Sequence, residues 1–345
     1  MTEKLSRQRL QDLLLSISSL RIGVLGDFAL DGYWHVDMTQ SELSREAPLF
    51  LHPVVREAYS AGGGANACAN VAALKPAQVW ALTALGKDWR GGLLREVLAE
   101  QGVTLDTIVT QPGWLTPFYG KVVLHGWGPP QEDSRLDFIN NDPMLDETTD
   151  ALIEQLENLL PQLDALVVTH YLPVSVVTDR MVAALNRLAQ EHQRIIFTAD
   201  SRDDIGQFRG MVIKPNEVEA AAMYFPGRAL ETISPEEFSQ AGMSAQAQTG
   251  RPLYITRSDK GCLLCYPPEC QPIEAVPVPP PVDTVGAGDT FISALTAGLA
   301  AGGTPWEAGW LASLAAGVTV GKLHITGTAS PEEILDLYDR FYGDP

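Results

Sequence analysis

The stretch Val282-Asp283-Thr284-Val285-Gly286-Ala287-Gly288-Asp289-Thr290-Phe291 leaves this chain few folds to choose from. Pro279, Pro280 and Pro281 stop any helix just before it, because proline brings no amide to a helix interior. The apolar, small-residue run from Phe291 to Ala301 predicts a helix directly after it. Gly286-Ala287-Gly288 is therefore expected to be a tight loop opening that helix. Glycines let backbone N–H groups crowd around one point, since no Cβ blocks the approach. The first N–H groups of a helix lack partners and sit at its positive end, so they suit an anion. Asp289 falls in the same first turn, where the helix dipole stabilises a carboxylate. An anion cradle beside a charged acid makes a poor passive binding site. It suits a reaction in which the acid takes a proton from a hydroxyl while the cradle receives charge on a phosphoryl group. Taken bare, Gly-x-Gly-Asp also fits a capped helix start with glycines in a turn. A dinucleotide fingerprint fits less well, because Phe291 stands where its third glycine belongs and the motif lies late in the chain.

Upstream, Arg21-Ile22-Gly23-Val24-Leu25-Gly26-Asp27 is an apolar run that predicts the first strand of a buried parallel sheet. Ligands of such sheets collect beyond the carboxyl ends of the strands, and Asp31 lies just past this one. An Asx turn is its plainer role. Ala61-Gly62-Gly63-Gly64-Ala65-Asn66 is a glycine loop running into a small-residue helix. It is not a phosphate-binding Walker loop, since no Gly-Lys-Ser/Thr follows. Asn66 is the informative residue there, because an amide is costly against a sheet without a partner. Asn70, one turn on, either points the same way or caps a neighbour.

In Met211-Val212-Ile213-Lys214-Pro215-Asn216-Glu217-Val218-Glu219 a strand gives way to a helix near Asn216. Asn216 and Glu219 share one helix face. They fit a capping box, and equally an oxygen-rich pair facing nucleotide phosphates and orienting waters on Mg²⁺. Further apolar runs at 78–85, 165–169 and 194–198 predict strands, and 89–101 and 147–160 predict helices. Pro48 to Val55, Phe118 to His125 and Ser134 to Ile139 read as extended segments that do not alternate with long helices. They predict a separate small sheet, with lid strands inserted at about 32–59 and 116–141 of a single domain spanning 1–345.

The Asp283 to Phe291 run resembles the C-terminal signature of the ribokinase/PfkB sugar-kinase family, and the glycine loop with Asn66 resembles its first signature. The likeness runs from Arg21 to Ile334. It implies an α/β fold: a ribokinase-like three-layer α/β/α sandwich with a mostly parallel central sheet and a small β-sheet lid. It implies an ATP-dependent carbohydrate kinase, a phosphotransferase with an alcohol acceptor. Asp289 would be the general base, and the backbone of Gly286, Ala287 and Gly288 the anion hole. The resemblance places the sugar on Asp31, Gly63 and Asn66 under the lid. It places the nucleotide on Asn216 and Glu219, and beside a turn carrying Thr256, Ser258 and Gly261, where Ser258 replaces a family glycine. Ala315 to His324 and Gly327 to Ser330 are expected to wall the adenine. Mg²⁺ would be held through water by Glu219, and a monovalent cation such as K⁺ by Asp283. A homodimer through the lid is implied as well.

Within the family the chain is most similar to the heptose-phosphate kinase branch, on Ser44-Arg45-Glu46-Ala47-Pro48, Arg135-Leu136-Asp137-Phe138, Thr256-Arg257-Ser258 and Ala315 to Leu323. It departs where that branch carries a Ser-Asp-Tyr-x-Lys-Gly-like run and this chain has Thr169-His170-Tyr171-Leu172-Pro173-Val174. It departs again where the branch has Asp-Pro-Lys and this chain has Asp200-Ser201-Arg202. Arg45, Lys121 and Arg135 are the candidates for holding a phosphate on the substrate. A nucleoside kinase on the same fold and a non-catalytic sugar-binding regulator are the alternative readings.

Composition narrows the partners. A net charge of −19 disfavours non-specific binding to nucleic acid or anionic membrane. No aromatic-plus-basic stripe for single-stranded nucleic acid is present. The partner that the resemblance implies is a small sugar or sugar phosphate. Leu5, Leu10, Leu13, Leu14 and Ile17 recur at helical spacing among polar residues, which predicts an amphipathic helix instead of a secretory signal. No apolar run reaches the length of a membrane span, and a cytoplasmic location is expected. Cys262 and Cys265 fall on a predicted strand and should face opposite sides of its sheet. With no histidine nearby, reduced structural thiols are expected in place of a zinc or redox site.

Overall fold

The structure, a computed structural model, describes residues 4–202, 205–323 and 326–343. Its centre is an eight-stranded sheet. From one edge the strands run Glu269–Ile273, Cys262–Tyr266, Leu253–Thr256, Val212–Ile213, Ile196–Ser201, Ala165–His170, Arg21–Gly26 and Gln78–Leu82. Pairing is parallel from Gln78–Leu82 through to Leu253–Thr256 and antiparallel across the last two.

The apolar runs explain this placement. Strand residues alternate between two buried clusters, one on each face. Ala165 and Val167 join the helices Gly64–Ala73, Ala287–Ala300 and Pro305–Val320, while Leu166 and Val168 join Asp146–Leu159 and Asp179–Glu191. A sheet apolar on both faces needs helices on both, and that makes three layers. The amphipathic helix forms at Arg7–Ile17 and buries Leu10, Leu13, Leu14 and Ile17, with Leu5 just ahead of it. Met1 to Glu3 lie outside the described residues.

A second sheet of four strands stands apart. Its order is Val54–Gly63, Phe28–Asp37, Phe118–His125 and Gln131–Phe138. The strand Phe28–Asp37 starts four residues ahead of the lid boundary expected at about 32. It follows Arg21–Gly26 after only Asp27, so the chain passes directly from the main sheet into the small one. Asp31 is consequently a strand residue, not a loop residue. The extended segment predicted at 48–55 joins the small sheet only at Val54 and runs on to Gly63, while Phe50 bridges to Leu43.

The cysteine expectation needs correction. Cys265 and Cys270 form a disulfide, while Cys68 and Cys262 are free and buried. Antiparallel pairing of Cys262–Tyr266 with Glu269–Ile273 sets Cys265 directly opposite Cys270. The Cys-x-x-Cys spacing drew attention to the wrong partner. Cys262 and Cys265 do face opposite sides, each in a different buried cluster.

Candidate active site

Two helix N-termini meet above the carboxyl ends of the central strands. One is Gly64–Ala73, preceded by Gly63, whose φ of 53° needs glycine and whose absent Cβ would lie 2.7 Å from the Asp27 carbonyl. The other is Ala287–Ala300, preceded by Gly286 at φ 80°. Asn66 and Asp289 each occupy the third position of their helix. The Asn66 amide donates to Asp289 Oδ2 at 2.7 Å.

A buried chain of bonds fixes the Asn66 amide. Thr290 Oγ1 donates to Asn70 Oδ1 at 2.7 Å, and Asn70 Nδ2 donates to Asn66 Oδ1 at 3.1 Å. The Asn66 carbonyl oxygen is thereby committed, and its N–H group must face Asp289. Asn70 therefore orients Asn66.

The glycine loop supplies open donors. Among the described residues, nothing accepts from the N–H groups of Gly286, Gly288 or Asp289, whereas Ala287 N–H turns back to Thr284 O at 3.2 Å. The cradle thus rests more on Gly286 and Gly288 than on Ala287. Lys214, 5 % exposed, reaches the same place: its Nζ lies 3.8 Å from where a Cβ on Gly288 would stand. It pairs with Asp200 Oδ2 at 3.0 Å. Burial opposes the Lys214 charge, but Asp200 holds the amine above the ordinary lysine value.

The carboxylates are tuned in one direction. Burial pushes Asp289 up to about 6, against the Asn66 and Tyr171 donors, which pull it down. Burial also lifts Asp31 to about 6, offset by Lys121, a Thr326 hydroxyl at 3.3 Å and Arg135. Gly62 has no Cβ because Asp31 Oδ1 lies 2.3 Å from where one would be, so that strand packs directly on the acid.

One cavity of about 320 Å³ joins these groups. Asp31, Gly63, Asn66, Gly286, Gly288 and Asp289 line it together with Asn216 and Glu219. Asn216 caps Glu217–Tyr224 in a capping box, its backbone N–H donating to Glu219 Oε2 at 2.8 Å. Burial raises the Glu219 carboxyl. Thr256, Ser258 and Gly261 do not line the cavity. Thr256 bridges to Asn216, Ser258 holds φ 52° where the resemblance expects glycine, and Gly261 turns the chain at φ 80°. Asp283 Oδ1 accepts from Val285 N–H at 3.0 Å and steadies the loop. His324 lies outside the described residues.

The profile of the "pfkB family carbohydrate kinase" matches residues 36–333. The chain belongs to the pfkB carbohydrate kinase family. As a pfkB kinase it is a phosphotransferase with an alcohol acceptor.

This pfkB kinase is 31% identical over 334 residues to the Bifunctional protein HldE of Citrifermentans bemidjiense, covering 96% of this chain and 66% of that protein. It is 33% identical to the protein of that name from Pasteurella multocida, covering 91% of this chain and 62% of the relative. It therefore spans under two thirds of the length of these relatives. Its fold matches Arabidopsis thaliana ribokinase complexed with ribose and ATP at a TM-score of 0.67 and 21% identity, over 92% of this chain and 98% of the other. It also matches phosphofructokinase-2 from Escherichia coli, in complex with substrates and products, at 0.70 and 18%, over 94% and 99%.

Tyr171, Asp200, Arg202 and Lys214 are among the lining residues of the pfkB kinase that escaped the sequence reading as site groups. Tyr171 and Asp200 keep the tyrosine and aspartate of the two heptose-phosphate runs and Arg202 stands where the branch has lysine, so the retained positions were the available signal. The backbone N–H groups of Tyr171 and Leu172 donate to buried Asp27 at 2.8 and 2.9 Å, as do Ser175 Oγ and Val176 N–H. Asp27 thus pins the loop that carries Tyr171. Lys121 and Arg135 line the cavity as expected cations, whereas Arg45 is exposed and outside it.

Proposed function

We propose that the chain transfers the γ-phosphoryl group of ATP to a hydroxyl of a sugar phosphate, with Asp289 as general base. One observation carries this reading: a carboxylate, an amide that orients it and two unpartnered loop N–H groups line one cavity with a buried lysine. An acid with a value near 6 is ionised at neutral pH yet basic enough to accept a hydroxyl proton as attack proceeds. The proton leaves the acceptor oxygen for Asp289 as that oxygen bonds to phosphorus and the nucleotide leaves. The N–H groups of Gly286 and Gly288, with Lys214 behind them, meet charge growing on the phosphoryl oxygens. One such donor is worth about 2.7–4 kcal/mol.

A phosphorylated acceptor fits the cavity because Lys121, Arg135 and Arg202 line it in a chain of strongly negative net charge. Asp31 and Asn66 would hold the hydroxyls between those cations and the base. Among the described residues no cluster of three metal-binding side chains exists. That suits Mg²⁺, which keeps several waters and takes phosphate ligands, with Glu219 in its outer sphere. When bound, it would neutralise phosphate charge. We read Asp283 as the neighbour of a K⁺ ion. The exposed Leu49, Phe50, Leu51, Val54 and Val55 beside the small sheet suit a lid-to-lid homodimer.

The test is ADP release across ribose, fructose 6-phosphate, heptose 7-phosphate and adenosine. The reading expects turnover with a sugar phosphate. Turnover of adenosine alone would make it a nucleoside kinase, and no turnover with any acceptor would overturn the assignment.

A further inference from the structure

Tyr171 stands between two carboxylates. Its hydroxyl oxygen lies 2.8 Å from Asp289 Oδ1 and 3.0 Å from Asp200 Oδ2. A phenol has one proton, and an ionised carboxylate only accepts. With both acids ionised, the proton serves one of them and the other faces a bare oxygen lone pair at hydrogen-bond distance. Both contacts become hydrogen bonds only when one acid carries a proton.

Charge decides which acid that is. Asp200 is ion-paired with Lys214 at 3.0 Å, so a proton there would break a buried pair. Asp289 Oδ2 is taken by the Asn66 N–H, which leaves Oδ1, the atom facing Tyr171, to hold a proton. Burial keeps the phenol far above its usual range, so Tyr171 does not ionise.

We propose that Tyr171 is a hydroxyl rotor whose single proton follows the state of the base. Before transfer it points at ionised Asp289. After Asp289 takes the proton of the attacking hydroxyl, Asp289 Oδ1–H donates to the Tyr171 oxygen and the phenolic O–H swings to Asp200 Oδ2. The acceptor loses one O–H bond, Asp289 gains one, and Tyr171 keeps its own. The protonated base is thereby held by two bonds in place of one contested bond, which strengthens the base. Tyr171 is a positioning residue, because it acts through Asp289. The charged groups around it are Asp289, Asp200, Lys214 behind Asp200, and the Arg202 guanidinium 5.2 Å from its ring centroid. Asp27 fixes its backbone. The inference rests on Asp289 being the general base.

The test is a carbon-13 carboxyl NMR titration of Asp289 in the ligand-free protein, the signal assigned by its loss in Asp289→Asn. Donation from Tyr171 to the ionised acid pulls its value down, but a rotor sets two bonds in the protonated state against that one, so Tyr171→Phe lowers the midpoint, by about half to one pH unit for one net hydrogen bond. A fixed donor favours the ionised acid, so the same variant would raise it. A raised or unmoved midpoint overturns the rotor. Should Tyr171→Phe fail to fold, infrared spectra of ring-labelled tyrosine in the wild-type protein decide. The Tyr171 C–O band must change from donor-only to donor-and-acceptor as Asp289 protonates, and a band that stays donor-only overturns the proposal. The base assignment is read separately: Asp289→Asn turning over at the wild-type rate would remove the base while leaving the titration result intact.

Discussion

The Asn66 amide nitrogen lies 2.7 Å from Asp289 Oδ2, although the two residues are 223 positions apart in sequence. This bond joins the two glycine-led helices at their N-termini. Their dipoles point their positive ends at one spot, and the only carboxylate inside either first turn is Asp289. Where the two helix ends meet, the acid on the helix turn is Asp289, raised by burial to about 6.

The pH dependence follows, with its sign. Asp31 and Asp289 both rise from 3.8 to about 6 on folding. A raised acid adds stability below its unfolded value and loses it as pH climbs through the folded value. At pH 8 each acid therefore costs stability. Asp31→Asn and Asp289→Asn are expected to melt higher than wild type at pH 8, with the gain shrinking toward pH 4. Thermal melts at both pH values check this, and a lower Tm at pH 8 would count against the raised values. Activity should show the opposite trend, with kcat/KM falling as pH drops through about 6.

Gly286 is irreplaceable for two reasons. Its φ is 80°, and a Cβ there would lie 2.9 Å from Asn66 Nδ2 and 3.1 Å from Thr326 Cγ2. Gly286→Ala should cost about 1–3 kcal/mol in stability. It should also lower kcat, because the displaced group is the amide that holds Asp289, the proposed base. Equilibrium unfolding and steady-state kinetics on one preparation separate the two, and an unchanged kcat would show that Asn66 need not hold its place.

Removing the Lys214 amine leaves Asp200 buried without its partner. The two side chains are 5% and 8% exposed. Lys214→Met is expected to destabilise by about 3–5 kcal/mol, the range for a broken buried pair. Urea unfolding measures it. A loss under about 1 kcal/mol would mean that water reaches the pair.

Much of this was legible in advance because local sequence and final position coincide. Val282 to Phe291 forms its loop and helix from its own residues, so Gly286 and Asp289 could be read directly. The same holds for the Asn216 and Glu219 box. The early start of Phe28–Asp37 was hidden because nothing between Gly26 and Phe28 marks a turn: Asp27 looks like a strand end, and its buried bonds to Tyr171, Leu172, Ser175 and Val176 are visible only in three dimensions. Lys214 was read as the strand end before Asn216, and its pairing with Asp200 depends on neighbouring parallel strands. Cys270 was missed for a like reason, since strand pairing chose its partner.

The cations lining the cavity make a separate prediction about the acceptor. Lys121→Ala and Arg202→Ala should each raise KM for a sugar phosphate about ten- to a hundredfold, the worth of one charge-assisted bond, and leave KM for ribose unchanged. Arg135→Ala should do less, because Asp137 already holds its guanidinium at 2.7 Å. Equal effects on ribose and on the phosphate would mean that these residues shape the lid without binding phosphate.

The most direct measurement is single-turnover phosphoryl transfer by Asp289→Asn, with nucleotide and sugar-phosphate binding checked by calorimetry. Binding within a fewfold of wild type, with the chemical step slowed about 10²–10⁴-fold, is the predicted result. Transfer at the wild-type rate in that variant would contradict a catalytic role for the carboxylate that Asn66 holds.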